Sequence, residues 1–291
     1  MCGIIAVLRR RSDRVIPASS EVIGLLEGLA DQLGAAGPDA LSTAVASAAE
    51  RVEAVNGLLR GSVGVRALLA DRTLAPVVES LAGGVADALA EREAGLDAEP
   101  ADLAGLEAVN AAVIRLKDAL WAVRRDRLRT AAAVADLAGP DPTRSAVEAF
   151  CSVQAALSAL DRLEVRGRDS AGLTLLVRDH GLVLDDPGVA ALVAGRADDA
   201  LFTADAVRFT PEGHLSVVYK AAAEIGELGD NTRVLRSAIR EDSLLHRALL
   251  ADAAEVTVLG HTRWASIGII SQPNAHPMNS DEVNRTDGPY V

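Results

Sequence analysis

Hydrophobic residues recur along this chain in two rhythms. It opens on an unbroken apolar run, Cys2-Gly3-Ile4-Ile5-Ala6-Val7-Leu8, closed by Arg9-Arg10-Arg11, and a short apolar run bounded by charge reads as a buried strand. Residues from about 19 to 33 read as a helix, with Ser19 or Ser20 as N-cap and Gly34 as its stop. Between Gly37-Pro38 and Gly139-Pro140-Asp141-Pro142 the apolar positions step by three and four. Val45, Ala48, Val52, Val55 and Leu59 form one such series, and Leu106, Val109, Val113, Leu116, Leu120 and Val123 another. That period predicts long amphipathic helices. The Pro-bearing turns that bracket the segment mark it as a helical insertion, an antiparallel hairpin or small bundle turning near Gly61-Ser62 and between Gly95 and Pro100.

Past Pro142 a helix is expected from Thr143 to about Leu163, and then the rhythm shortens. Ala171 to Val177, Ala206 to Thr210, Leu215 to Tyr219 and Val256 to Leu259 are short and β-rich, separated by Gly, Asp and Pro turns. A helix from about Asn231 to Leu250 lies between the last two. Strands and helices that follow one another without a regular βαβ rhythm predict an α+β layered sandwich rather than a doubly wound parallel sheet.

Composition narrows the function classes. The chain has 291 residues, 49% of them hydrophobic, enough for a real core. A net charge of -12 argues against a nucleic-acid partner, because phosphate binding draws on Lys and Arg. No apolar stretch approaches 18 residues and no basic segment precedes the opening run, so neither a membrane span nor a signal peptide is read, and a cytoplasmic location is expected. Cys2 and Cys151 are then free thiols, and the sequon Asn284-Arg285-Thr286 is idle. The five histidines show no metal-ligand spacing and no glycine-rich phosphate loop is present, so neither a metal nor a cofactor is expected.

Three stretches carry candidate chemistry. Removal of Met1 would leave Cys2 with both a thiol and a free α-amine, a nucleophile and a base in one residue. The second stretch is Leu163-Glu164-Val165-Arg166-Gly167-Arg168-Asp169-Ser170-Ala171-Gly172, where a helix end meets a strand through a polar turn. The third is Gly260-His261-Thr262-Arg263-Trp264-Ala265-Ser266, followed by Asn274-Ala275-His276-Pro277. An Arg in a turn after a buried strand is placed to grip a carboxylate bidentately.

Together these runs resemble the glutaminase domain of class II, N-terminal-nucleophile glutamine amidotransferases, with Trp264 and the Asp169-Ser170 pair pointing to the glucosamine-6-phosphate synthase branch. The resemblance covers about residues 1–36 and 143–291 and leaves 37–142 as a helical insertion. It implies a four-layer αββα sandwich of the N-terminal-nucleophile hydrolase type. It also implies Cys2 as the nucleophile on the glutamine side-chain amide and Arg263 on the glutamine α-carboxylate, with Trp264 beside it in a closing loop. Arg166 and the Asp169-Ser170 turn would shape the nucleophile pocket, and His276 would lie near the substrate, while His261 reads as a structural hydrogen bonder.

By the same resemblance the partners are L-glutamine and a sugar-isomerase-type synthase domain that aminates a sugar phosphate such as fructose 6-phosphate, in a possible homo-oligomer. This sequence departs from the branch at Arg168, where a tyrosine is usual, and at Ser266-Ile267, where Thr-His is usual. The family's oxyanion-stabilising Asn-Gly pair has no counterpart after Asn274-Ala275-His276-Pro277, and Asn56-Gly57 lies in the helical segment. The chain alone is therefore expected to be a poor glutaminase. The competing readings are an amidotransferase with a different acceptor and a catalytically silent glutaminase-like interaction module.

Overall fold

The computed structural model describes residues 2–96, 103–197, 206–222, 227–266 and 268–278. The sequon, the turn at 97–100, Ile267 and the side chain of Leu106 lie outside the described part. The chain forms two compact units, residues 1–11 with 134–291, and residues 12–133.

The first unit opens with β1 (Gly3–Val7). Among the described residues the regular elements of the second are all helices: α1 (Ser19–Leu26), α2 (Leu29–Ala35), α3 (Pro38–Leu58), α4 (Gly61–Ala70), α5 (Leu74–Leu96), α6 (Leu103–Trp121) and a π-helical stretch at Ala122–Leu128. Next comes α7 (Arg129–Ala138), which carries the chain back into the first unit. The expected apolar stripes are the core of this unit: Val45, Ala48, Val52, Val55, Leu59, Leu116, Leu120 and Val123 are all buried. The single helix expected over 19–33 is two, because Gly28 adopts a left-handed φ of 72° that ends one and starts the other.

The boundary also moves. Helices α1 and α2 were grouped by resemblance with the glutaminase part, but they pack on α3 and α5 and bury Val22, Leu26, Leu29 and Leu33 there. The helical unit therefore begins at Ser12, not at Gly37. Three arginines cap helix ends inside it. Arg14 donates to the carbonyls of Gly57, Leu58 and Arg60 at the end of α3, Arg51 to Gly24 and Glu27 at the end of α1, and Arg92 to Leu33 in α2. Each puts a cation where unpaired carbonyls concentrate negative charge.

The first unit continues with α8 (Arg144–Leu163), β2 (Ser170–Arg178), α9 (Pro187–Ala197), β3 (Val207–Phe209), β4 (Leu215–Ala221), α10 (Asp230–Glu241), α11 (Ser243–Ala248) and β5 (Glu255–Arg263). Thr143 is the N-cap of α8, its side chain accepting from the Ala146 N–H at 3.1 Å. The helix expected over 231–250 is interrupted at Asp242, whose carboxylate turns to accept the N–H groups of Leu244 and Leu245 and so caps α11. The same carboxylate takes the Tyr219 hydroxyl at 2.7 Å and Arg196 Nε at 2.9 Å, a paired arrangement that satisfies a buried charge.

The strands form one antiparallel sheet in the order β1-β5-β2-β4-β3, so the unit is α+β. Alternation gives the sheet two unlike faces. One face carries Ile5, Gly260, Leu173 and Tyr219 in a single row and is covered by α8 and α10. The other carries Ile4 and Leu259, which are 68% and 41% exposed.

β1 lies unusually close to α8. A Cβ on Gly3 would sit 2.8 Å from Leu163 Cβ and 2.9 Å from Thr262 Oγ1, so Gly3→Ala is expected to lower stability by about 1 to 3 kcal/mol. Helical Gly83, with nothing within 4 Å, supplies the control: Gly83→Ala should raise stability by about 0.5 to 1 kcal/mol. Urea unfolding curves of the two variants would check both signs.

Candidate active site

The candidate residues converge because three strand ends meet at one end of the sheet. Gly3 of β1 pairs with Thr262 of β5, which pairs on its other side with Ala171 of β2. The Gly3 N–H also donates to Thr262 Oγ1 at 3.2 Å. One residue further out, Ser170 pairs with Arg263, and continuing the β1 register by one residue sets Cys2 opposite Arg263 on its other side. By alternation these three belong to the face not covered by α8. The next row inward on that face is Ile4, His261, Gly172 and Lys220.

Arg263 is the last residue of a strand longer than expected, not a turn residue, and its backbone is held by the ladder on the β2 side, where it pairs with Ser170. Asp169 secures the exit from that strand. Its N–H donates to the Arg263 carbonyl at 3.2 Å, and its carboxylate accepts the Ala265 N–H at 2.6 Å. The two bonds bracket Trp264, which stands 53% exposed. Its neighbour Ser170 is fully buried, with no hydrogen-bond partner for Oγ among the described residues.

Residues 264–266 and 268–277 fold back over the end of the sheet. Arg263 Nη1 and Asn274 Nδ2 both donate to the Ile269 carbonyl, at 3.1 and 3.2 Å. Gln272 Nε2 donates to the Lys220 carbonyl while Lys220 Nζ donates to that of Pro273, at 3.2 and 3.3 Å. The chain comes down on Gly172, where an added Cβ would lie 2.3 Å from the His276 carbonyl oxygen. His276 Nδ1 reaches His261 Nε2 at 3.4 Å. Burial first, then the neighbouring His276 and Arg263, push the His261 imidazole down to about 4.

Cys2 is an exposed free thiol, while Cys151 is buried in α8, and desolvation pushes its thiol up to about 11. Only Cys2 is therefore placed as a nucleophile. Arg166 stands apart. It is exposed on a one-turn 3-10 helix (Glu164–Arg166), and among the described residues no hydrogen bond or ion pair joins it to the other candidates.

The turn that carries Arg166 is anchored by residues that sequence reasoning passed over. Buried Glu164 accepts the Gly229 N–H at 2.5 Å beside the start of α10, and Asn231 Nδ2 donates to the Arg168 carbonyl at 2.8 Å. Burial is the main cause holding the Glu164 carboxyl above its ordinary range. Lys220 was also missed, although a lysine inside the apolar strand Leu215–Ala221 is a signal of a polar neighbour. Among the described residues no group of three or more His, Cys, Asp or Glu could hold a metal ion, and no single helix is long and apolar enough to cross a membrane. No family model, curated protein or solved structure matches the chain.

The His261 environment has a measurable consequence. A histidine kept neutral in the fold titrates near 6.5 once unfolded, so below that pH the unfolded state binds the extra proton and stability falls as pH drops from about 6.5 towards 4. His261→Gln should remove part of that slope, and above pH 7, where the imidazole is neutral in both states, it should change stability only by a pH-independent packing loss. Urea midpoints measured from pH 4 to 8 would test this, and parallel curves for wild type and variant would contradict it.

Proposed function

We propose that this chain is the glutaminase part of a glutamine-dependent amidotransferase of the N-terminal-nucleophile class, most like glutamine:fructose-6-phosphate aminotransferase. The observation that supports it best is the strand end where Ser170 pairs with Arg263 and Gly3, the residue after Cys2, pairs with Thr262, with Asp169 accepting from the Ala265 N–H beside Trp264. The four-layer αββα sandwich belongs to the same proposal. Helices α8 and α10 would be one outer layer and the described sheet the next. The face carrying Ile4, Leu259 and the candidate residues would meet the second sheet.

The chemistry follows from the residue types. With Met1 removed, the Cys2 α-amine, ordinarily titrating at about 7.7 to 8.0, takes the thiol proton, and sulfur attacks the side-chain carbonyl carbon of glutamine. Collapse of the tetrahedral intermediate breaks the C–N bond. The amine returns its proton to the leaving nitrogen, and ammonia departs from a γ-glutamyl thioester. Water, giving a proton to the same amine, adds to the thioester carbon; the C–S bond breaks, sulfur regains a proton and glutamate leaves. Arg263 exchanges its hold on the Ile269 carbonyl for the glutamine α-carboxylate, and Trp264 closes over it. Ammonia passes to a synthase domain, with a sugar phosphate such as fructose 6-phosphate as acceptor.

The test is chemical. Chain lacking Met1, treated with a glutamine-like diazoketone, should be alkylated at Cys2 and not at Cys151, as read by peptide mass spectrometry; chain retaining Met1 should react far more slowly. Labelling that ignores glutamine competition would favour the silent interaction module instead. Arg263→Lys keeps the charge but loses the paired donors. It should lower kcat/KM for glutamine by about 1.5 to 3 kcal/mol, with circular dichroism unchanged, and an unaltered kcat/KM would remove Arg263 from the site.

A further inference from the structure

The helical unit contains a groove of about 400 Å³ between α5, the end of α6 and the π-helical stretch, a volume in the range of small-molecule sites. Its floor is apolar, from Ala86, Leu89, Ala90 and Leu120, and Trp121 stands at its edge, 58% exposed. An exposed tryptophan beside apolar residues leaves a flat surface in water that a planar ligand would cover. The charge of the lining runs against that of the chain. In a protein of net charge -12, the groove carries Lys117, Arg124 and Arg125 against the single carboxylate of Glu93.

Two of these cations are already engaged, Lys117 with Glu93 at 2.7 Å and Arg124 with Glu79 at 2.6 Å. Arg125 is exposed and has no ion-pair partner among the described residues. It is displayed by the π-helical turn Ala122–Leu128, a rare geometry that is frequent at functional sites. We propose that this groove binds a small aromatic monocarboxylate, its ring on Trp121 and its carboxylate on the guanidinium fork of Arg125. One uncommitted arginine matches one carboxylate in charge and in planar geometry, and the apolar floor excludes a bare inorganic anion as the best occupant.

Trp121 and Trp264 are the two tryptophans of the chain, so the indole N–H signals of 15N-labelled full-length protein, assigned with Trp121→Phe and Trp264→Phe, report each position separately. Titration with phenylacetate should move the Trp121 signal saturably, at millimolar concentrations, and leave Trp264 still. The neutral 2-phenylethanol should bind about tenfold more weakly, as should phenylacetate to Arg125→Gln, an exposed change that leaves the helix intact. Inorganic phosphate should not shift Trp121. Absence of saturation, equal binding of the alcohol, an Arg125→Gln variant that binds like wild type, or a phosphate response as strong as that to phenylacetate would overturn the proposal. So would a Trp121 signal that moves with protein concentration alone, which would mark the groove as a contact between copies.

Discussion

The close approach of β1 to the C-terminal end of α8 sets the geometry on which the rest of the first unit depends. At Gly3 there is no room for a side chain between Leu163 and Thr262, so the backbone of β1 is drawn against helix and sheet together. Its N–H reaches the Thr262 hydroxyl as well as the β5 ladder. β1 is an edge strand in the order β1-β5-β2-β4-β3, and an edge strand paired on one side has half the ladder bonds of a central one. The glycine contact supplies the second constraint, and with it the position of Cys2 becomes a consequence of packing rather than of a flexible terminus.

The same economy holds the returning segment. Residues 264–266 and 268–277 leave the large apolar side chains of Trp264 and Ile269 exposed. Their carbonyls are pinned from the sheet, Ile269 by Arg263 and Pro273 by Lys220, and Asn274 donates to Ile269 from within the segment. Gly172 opens the space that lets the chain touch the sheet at His276. Burial, and after it the neighbouring His276 and Arg263, disfavour protonation of the inner imidazole, which is why His261 is held neutral. Among the described residues, Ser170 Oγ and His261 Nδ1 here, like Arg11 Nε and Glu164 Oε1 elsewhere in the unit, are buried without a hydrogen-bond partner.

In the helical unit the constraint is different. Helices rich in Ala, Leu and Val pack by their stripes, and with so few aromatic residues the energy per contact is modest. The loose ends are secured by Arg14, Arg51 and Arg92 on helix-terminal carbonyls. Arg127 falls on the buried side of the π-helical stretch and donates to Asn56 Oδ1 at 2.8 Å. Asn56 therefore has a structural partner in this unit, in keeping with its place outside the candidate site.

Local periodicity and turn chemistry were enough to foresee the opening strand, the long helix closed by Leu163, the apolar stripes, the four later strands and the α+β class, because each of these depends on residues within a few positions of one another. Breaks at Gly28 and Asp242 were passed over because the apolar period runs through them, while a left-handed glycine and a competing carboxylate cap act on a single residue. The length of β5 was underestimated because His261-Thr262-Arg263 looks polar, yet two flanking strands satisfy its backbone. The residues Cys2, Asp169, Ser170, Arg263, Trp264 and His276 could be named from motif order, whereas their juxtaposition needed the register of β1, β5 and β2 across some 260 residues. Glu164, Lys220, Asn231 and Gly172 act through partners distant in the chain, and no short-range pattern encodes a contact of that kind. The assignment of α1 and α2 to the helical unit was likewise decided by tertiary structure, since an amphipathic stripe states that a face will be buried but not against which neighbour.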